Sequence, residues 1–253
     1  MKRNSLRHGN VFKNEKSLYD TFYAEYKAKK PFARIVYLAK IKQPESQQQQ
    51  ASQKKKDKEV KPELINNFIM DLKSKLQTLS GPSNVMIIFV GDIYAFVGVE
   101  NTIADIESLI KFVRSGSQFT EDAHVIVYNE ECPTSMFPVW YQYLGEVYEK
   151  DNQFYKDMTS SEKGYALYDN FFCNFGRSLK ELIHNENDFK LNEGKIKEEE
   201  VKFVKYHPSM NEVEIFFGEE YPSIEQFISL YFDEMEIDFD DDLVYPYYCP
   251  LNV

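Results

Sequence analysis

The sequence predicts an α+β fold on the ferredoxin-like βαββαβ plan. Three observations lead there: the order of strand-like and helix-like runs between Phe32 and Leu144, the period of the apolar residues within each run, and the Gly and Pro residues that separate them. In that plan two helices cover one face of an antiparallel sheet, and right-handed crossovers set the strand order. C-terminal helices and a hairpin are expected to follow the sheet.

The first strand is Phe32 to Ile41, rich in branched and aromatic side chains and set off by Pro31 from a short helix predicted over Glu15–Lys30. Residues 42–61 turn to Gln47–Gln50 and Lys54-Lys55-Lys56 with almost no apolar content, so they read as a mobile insert. Pro62 suits the first turn of a helix with core face Leu64, Ile65, Phe68, Ile69, Leu72, Leu76 and Leu79, stopped by Ser80-Gly81-Pro82. Val85–Val90 and Ile93–Val99 are strands joined by Gly91-Asp92, a two-residue turn whose Gly supplies positive φ. Thr102 is an N-cap with Asp105 three residues on, opening a second helix whose face is Ile103, Ile106, Leu109, Ile110 and Val113. Ala123–Tyr128 is the next strand, and Trp140–Leu144 adds an edge strand after two prolines.

Beyond the sheet, Ser161–His184 carries apolar groups at helical spacing and should pack back on it. Val201–Tyr206 and Glu212–Phe217 alternate around His207-Pro208-Ser209-Met210-Asn211, which suggests a hairpin, and Tyr221-Pro222-Ser223 starts a last helix from Ile224 to Met235. The expected organisation is therefore a basic N-terminal segment (1–31), a sheet domain (32–145), a helical extension with a hairpin (146–218), and a helix with an acidic aromatic tail (219–253).

Composition narrows the function classes. With 253 residues and 43% hydrophobic content the chain can bury a core, and no run nears the roughly 18 apolar residues of a spanning helix, so neither a membrane partner nor a secretory leader is expected. Cytoplasm is the expected address. Cys132, Cys173 and Cys249 are widely spaced and read as reduced thiols, with neither a disulfide framework nor a thiolate zinc site behind them. The net charge of −11 is uneven: residues 1–62 hold 16 Lys+Arg against 6 Asp+Glu, whereas Tyr206–Val253 holds twelve acids and no Lys or Arg. Such a segment repels nucleic acid, and no nucleic-acid partner is expected. The four histidines are scattered, no phosphate-loop, dinucleotide or nucleophile-elbow motif occurs, and Asp238–Asp242 lacks the Gly and Glu of a calcium loop. No catalytic residue, metal site or enzyme activity is predicted.

With the element order in place, one set of residues is informative. Tyr37 in the first strand, Val99-Glu100-Asn101 closing the hairpin, and Pro133-Thr134-Ser135-Met136-Phe137-Pro138-Val139-Trp140 together resemble the BLUF family over roughly residues 32–145. In light-sensing members a flavin lies between the two helices on the sheet, bonded by a first-strand tyrosine and a third-strand glutamine. The hairpin there ends in Leu-Glu-Gly, and an Arg-x-Phe-x-x-Trp-x-Met motif follows the fourth strand. Tyr37 falls on the photoactive tyrosine and Trp140 on the family tryptophan, while Val97 takes the glutamine position and Gln142 the methionine position. Because unpartnered flavin polar groups cost about 1–3 kcal/mol each, these losses imply a domain without a cofactor. The stretch Pro133–Trp140 is most similar to the testis-expressed BLUF-like family of sperm and motile cilia, a resemblance that implies a structural role in the axoneme.

The tail carries the other functional expectation. Acidic residues interleaved with aromatics suit docking on a basic, partly apolar protein surface, with Tyr221, Phe239, Asp240, Asp241, Asp242, Tyr245, Tyr247 and Tyr248 as the contact residues. The expected function is thus a non-enzymatic structural or adaptor protein on a larger assembly, with axonemal proteins or tubulin as partners. The alternative is a flavin-binding blue-light photoreceptor.

Overall fold

Strand β1 (Phe32–Ile41), apolar except for Arg34 and Lys40, is buried along nearly its whole length, the pattern of a strand covered on both faces. It sits inside a five-stranded sheet of order β4-β1-β3-β2-β5, with β2 at Asn84–Val90, β3 at Tyr94–Asn101, β4 at Thr120–Cys132 and β5 at Tyr141–Leu144. The computed structural model describes residues 32–43, 62–144, 152–185 and 187–233. The first four strands pair antiparallel in the ferredoxin-like order, and β5 adds at the edge parallel to β2. The α+β class expected from the sequence is the one observed. The predicted Glu15–Lys30 helix, most of the 42–61 insert and the tail beyond Asp233 lie outside the described residues.

Helices α1 (Pro62–Gln77) and α2 (Ile103–Ser115) are the two crossovers. Their apolar stripes close one face of the sheet, where Ile65, Phe68, Leu72, Ile106, Leu109 and Ile110 join Tyr37 and Val97 in one buried cluster. The N-cap predicted at Thr102 is present, its hydroxyl accepting from the Asp105 amide. The Asp105 carboxylate takes the Ser80 amide and hydroxyl at 3.0 Å, which ties the end of α1 to the start of α2. Burial opposes the charge on Asp105, but these bonds and that from Thr102 outweigh it and hold the carboxyl below its usual range. The hairpin turn is one residue longer than predicted: Val90 pairs with Tyr94, and Gly91 supplies the expected positive φ of 65°. The third loop residue, Ile93, uses its carbonyl to accept from the Ile41 amide.

The opposite face is covered as well. Helix α3 (Ser160–Leu167), a π-helical stretch (Tyr168–Phe175) and α4 (Gly176–Leu182) follow one another without a break and lay Phe171, Phe172 and Phe175 on the sheet. After α5 (Asp188–Leu191), α6 (Glu193–Phe203) and α7 (Met210–Ile215) complete this layer, while α8 (Ile224–Tyr231) returns to the first face through Ile224, Phe227 and Ile228.

The predicted hairpin over 201–217 is therefore corrected to two helices. Ile196 and Phe203 lie seven residues apart on one face of α6 and pack on the second cluster, so the stretch follows the helical period. Ser209 and Glu212 form a reciprocal capping box that starts α7, a Ser-x-x-Glu signal that the turn reading of His207–Asn211 passed over. Ile196, Phe203, Val213 and Phe216 all pack on the apolar second face of the sheet, and burial decided for helix.

Candidate functional site

The residues singled out by the resemblance divide into two places. Tyr37 lies mid-strand in β1 directly opposite Val97 of β3, and both are buried beneath α1 and α2. Trp140 and Gln142 lie at the sheet edge, with β3 and β2 between them and Tyr37. Trp140 is half-buried against the same apolar cluster with the Lys73 ammonium 4.4 Å from its ring centroid, whereas Gln142 is exposed. Tyr37 and Val97 thus meet, and Trp140 and Gln142 do not join them.

Over this pair α1 and α2 bring Ile65, Phe68, Leu72, Ile106 and Leu109 into the same cluster, each 3% exposed or less. Val97, at the position where the resemblance puts a glutamine, carries no side-chain donor or acceptor. Burial, with the Asp71 carboxylate nearby, raises the Tyr37 phenol above its ordinary pKa, so it stays a neutral core tyrosine at physiological pH.

The second element of the resemblance is built differently, and the sequence singled out its loop without its partners. Glu100, near the end of β3, is fully buried and accepts four hydrogen bonds: from Arg34 Nε at 2.8 Å, from Ser135 Oγ at 2.5 Å, and from the backbone amides of Met136 at 2.8 Å and Phe137 at 3.1 Å; Arg34 Nη2 stands 2.6 Å away as its ion-pair partner. Arg34 also donates to the Tyr168 hydroxyl at 3.0 Å and to the Thr134 carbonyl at 3.1 Å. Asn129 donates to the same hydroxyl at 2.9 Å, and Lys180 to the Ser135 carbonyl at 2.7 Å. Desolvation works against the Arg34 charge, but the Tyr168 bond and the Glu100 charge more than compensate and raise its pKa. Tyr168 itself is pushed up to about 12, chiefly by burial.

This network clamps the 132–140 loop to β1, β3 and the π-helical stretch. With its partners satisfied it can position and rigidify, but it presents no free base or nucleophile to a substrate. Burial also raises the thiol pKa of Cys132 and Cys173, which keeps both unreactive. Among the described residues no cluster of His, Cys, Asp and Glu is arranged to hold a metal ion, and no helix is long and apolar enough to cross a membrane.

Of the predicted docking residues, Tyr221 is corrected: it is 6% exposed, packs on Phe216, and donates its hydroxyl to the Ser160 carbonyl at 2.5 Å. Its place between two helices of the second layer consumes the aromatic surface that docking would need. Phe239, Asp240, Asp241, Asp242, Tyr245, Tyr247 and Tyr248 lie outside the described residues.

No protein-family model matches the chain, and no curated protein matches it. Among solved structures, one of a bacterial light-regulated adenylyl cyclase is similar at 10% identity and a TM-score of 0.33, covering 70% of this chain. The match spans 40% of that protein's length.

Proposed function

We propose that this chain is a non-enzymatic structural or adaptor protein whose sheet domain is a BLUF-like platform without flavin. The observation that carries the reading is the Tyr37–Val97 pair, sealed under α1 and α2 within the apolar core. A platform of this kind needs a fixed shape rather than a reactive group, and the Glu100 clamp supplies that by holding the 132–140 loop from three elements at once.

In this reading the platform serves a larger assembly, and the acidic aromatic segment after α8 makes the contact. The resemblance of Pro133–Trp140 to the testis-expressed BLUF-like family points to the axoneme of motile cilia, with axonemal proteins or tubulin as partners. Purified full-length protein is expected to be colourless, and a tagged copy in ciliated cells is expected to fractionate with axonemes. Bound flavin with a light-induced red shift would establish the photoreceptor instead; a colourless protein that stays in the soluble fraction would remove the axonemal role.

A further inference from the structure

A cleft of about 750 Å³ lies against the edge of the sheet, lined by Val139 and Trp140 just before β5 and by Tyr141 and Gln142, its first two residues. Successive strand residues face opposite sides, so a cleft touching both Tyr141 and Gln142 reaches the start of the strand from its edge rather than from one face. β5 is the last strand in the sheet order, and an edge strand offers backbone donors and acceptors to an incoming extended segment. The walls carry exposed apolar surface from Val139 and Phe189, both 41% exposed, together with the Trp140 ring.

The charge of the cleft runs against that of the chain. Among the described residues its lining includes Lys73 and Lys190 and no Asp or Glu, in a protein with 41 acids against 30 bases. A ligand that matches it is extended, acidic and aromatic. The chain itself carries such a segment: residues 234–253 hold six acids, four aromatics and no base.

We propose that the C-terminal segment, residues 234–253, docks in the β5-edge cleft of its own chain, its carboxylates toward Lys73 and Lys190 and its aromatics on Trp140, Val139 and Phe189. The geometry allows it. Helix α8, which delivers the chain to Asp233, packs on the same face of the sheet as α1, whose Lys73 lines the cleft. Crossing from β4 to β5 takes roughly 20 Å at the usual strand spacing, and the segment can extend to roughly 65 Å. A partner seeking the tail then has to displace it from the cleft, which makes docking a regulated step. The inference holds whichever assembly the chain joins.

Trp140 is the only tryptophan, so its fluorescence reads the cleft in the intact protein. Two full-length variants test the proposal: Lys190→Glu, at an exposed helix residue, and Phe239→Ala with Tyr245→Ala, Tyr247→Ala and Tyr248→Ala. Each is expected to raise acrylamide quenching of Trp140 about two-fold with unchanged circular dichroism, as the seated population falls. Adding Asp240→Lys and Asp241→Lys to the Lys190→Glu chain should restore protection. Equal quenching in the wild type and both variants would overturn the proposal. Protection that grows with protein concentration and follows a dimer in sedimentation would overturn it too, since the tail would then be seated on a second copy.

Discussion

Arg34 and Glu100 form an ion pair at 2.6 Å whose side chains are 4% and 0% exposed, joining two neighbouring strands at residues placed opposite each other in register. A pair so deeply buried is a liability unless its remaining hydrogen-bonding capacity is used. Here the capacity of Glu100 goes to the backbone of the next loop. That makes Glu100 the anchor of the loop through Ser135, Met136 and Phe137.

Glu100→Ala strands the Arg34 charge and the amides of Met136 and Phe137, and is expected to cost about 3–5 kcal/mol in urea unfolding. The double variant Arg34→Met with Glu100→Leu should recover only part, since two buried amides would still lack acceptors at about 1–3 kcal/mol each. Full recovery in the double variant would show that the loop does not depend on the clamp.

Gly98 in β3 lies under two rings: an added Cβ would stand 2.6 Å from Phe172 and 2.8 Å from Phe137. Gly98→Ala should therefore lower stability by about 1–3 kcal/mol through overpacking, read as a drop in thermal midpoint. An unchanged midpoint would mean that the π-helical stretch carrying Phe172 shifts freely.

His207 packs beside Tyr143 and Phe171, with Nε2 3.0 Å from the Phe89 carbonyl. Burial lowers its pKa despite bonds to the Phe89 and Pro208 backbones. The folded state then binds fewer protons than the unfolded one, so this contribution is fully present above about pH 6.5 and is lost as pH falls through the folded pKa. Urea midpoints of the wild type should fall between pH 7.5 and 5.5 more steeply than those of His207→Gln. Parallel curves would remove His207 as a source of acid sensitivity.

Tyr221→Phe removes the hydroxyl that holds the Ser160 carbonyl and is expected to cost about 1 kcal/mol. Tyr221→Ala should cost about 3–5 kcal/mol through the cavity left beside Phe216. Full stability in the alanine variant would return Tyr221 to the surface role read from the sequence. For the same reason, a tail truncation should begin after Asp233, because Ile224, Phe227 and Ile228 belong to the core.

The order of the sheet elements, the turn at Gly91, the cap at Thr102 and the buried stripes of α1 and α2 were legible in the sequence, because each depends on neighbours within a few residues. The same order sets β1 beside β3, while the register that puts Tyr37 opposite Val97 is a finding of the structure. What the tertiary structure decided rests on long-range contacts: Arg34 meets Glu100 across 66 residues and Tyr168 across 134, separations that no local period encodes. The same cause turned the alternating 201–217 segment into helices, since strand character needs a partner edge and the segment met the apolar face of a finished sheet. It also buried Tyr221, whose surroundings in the sequence are acidic and whose surroundings in space are aromatic.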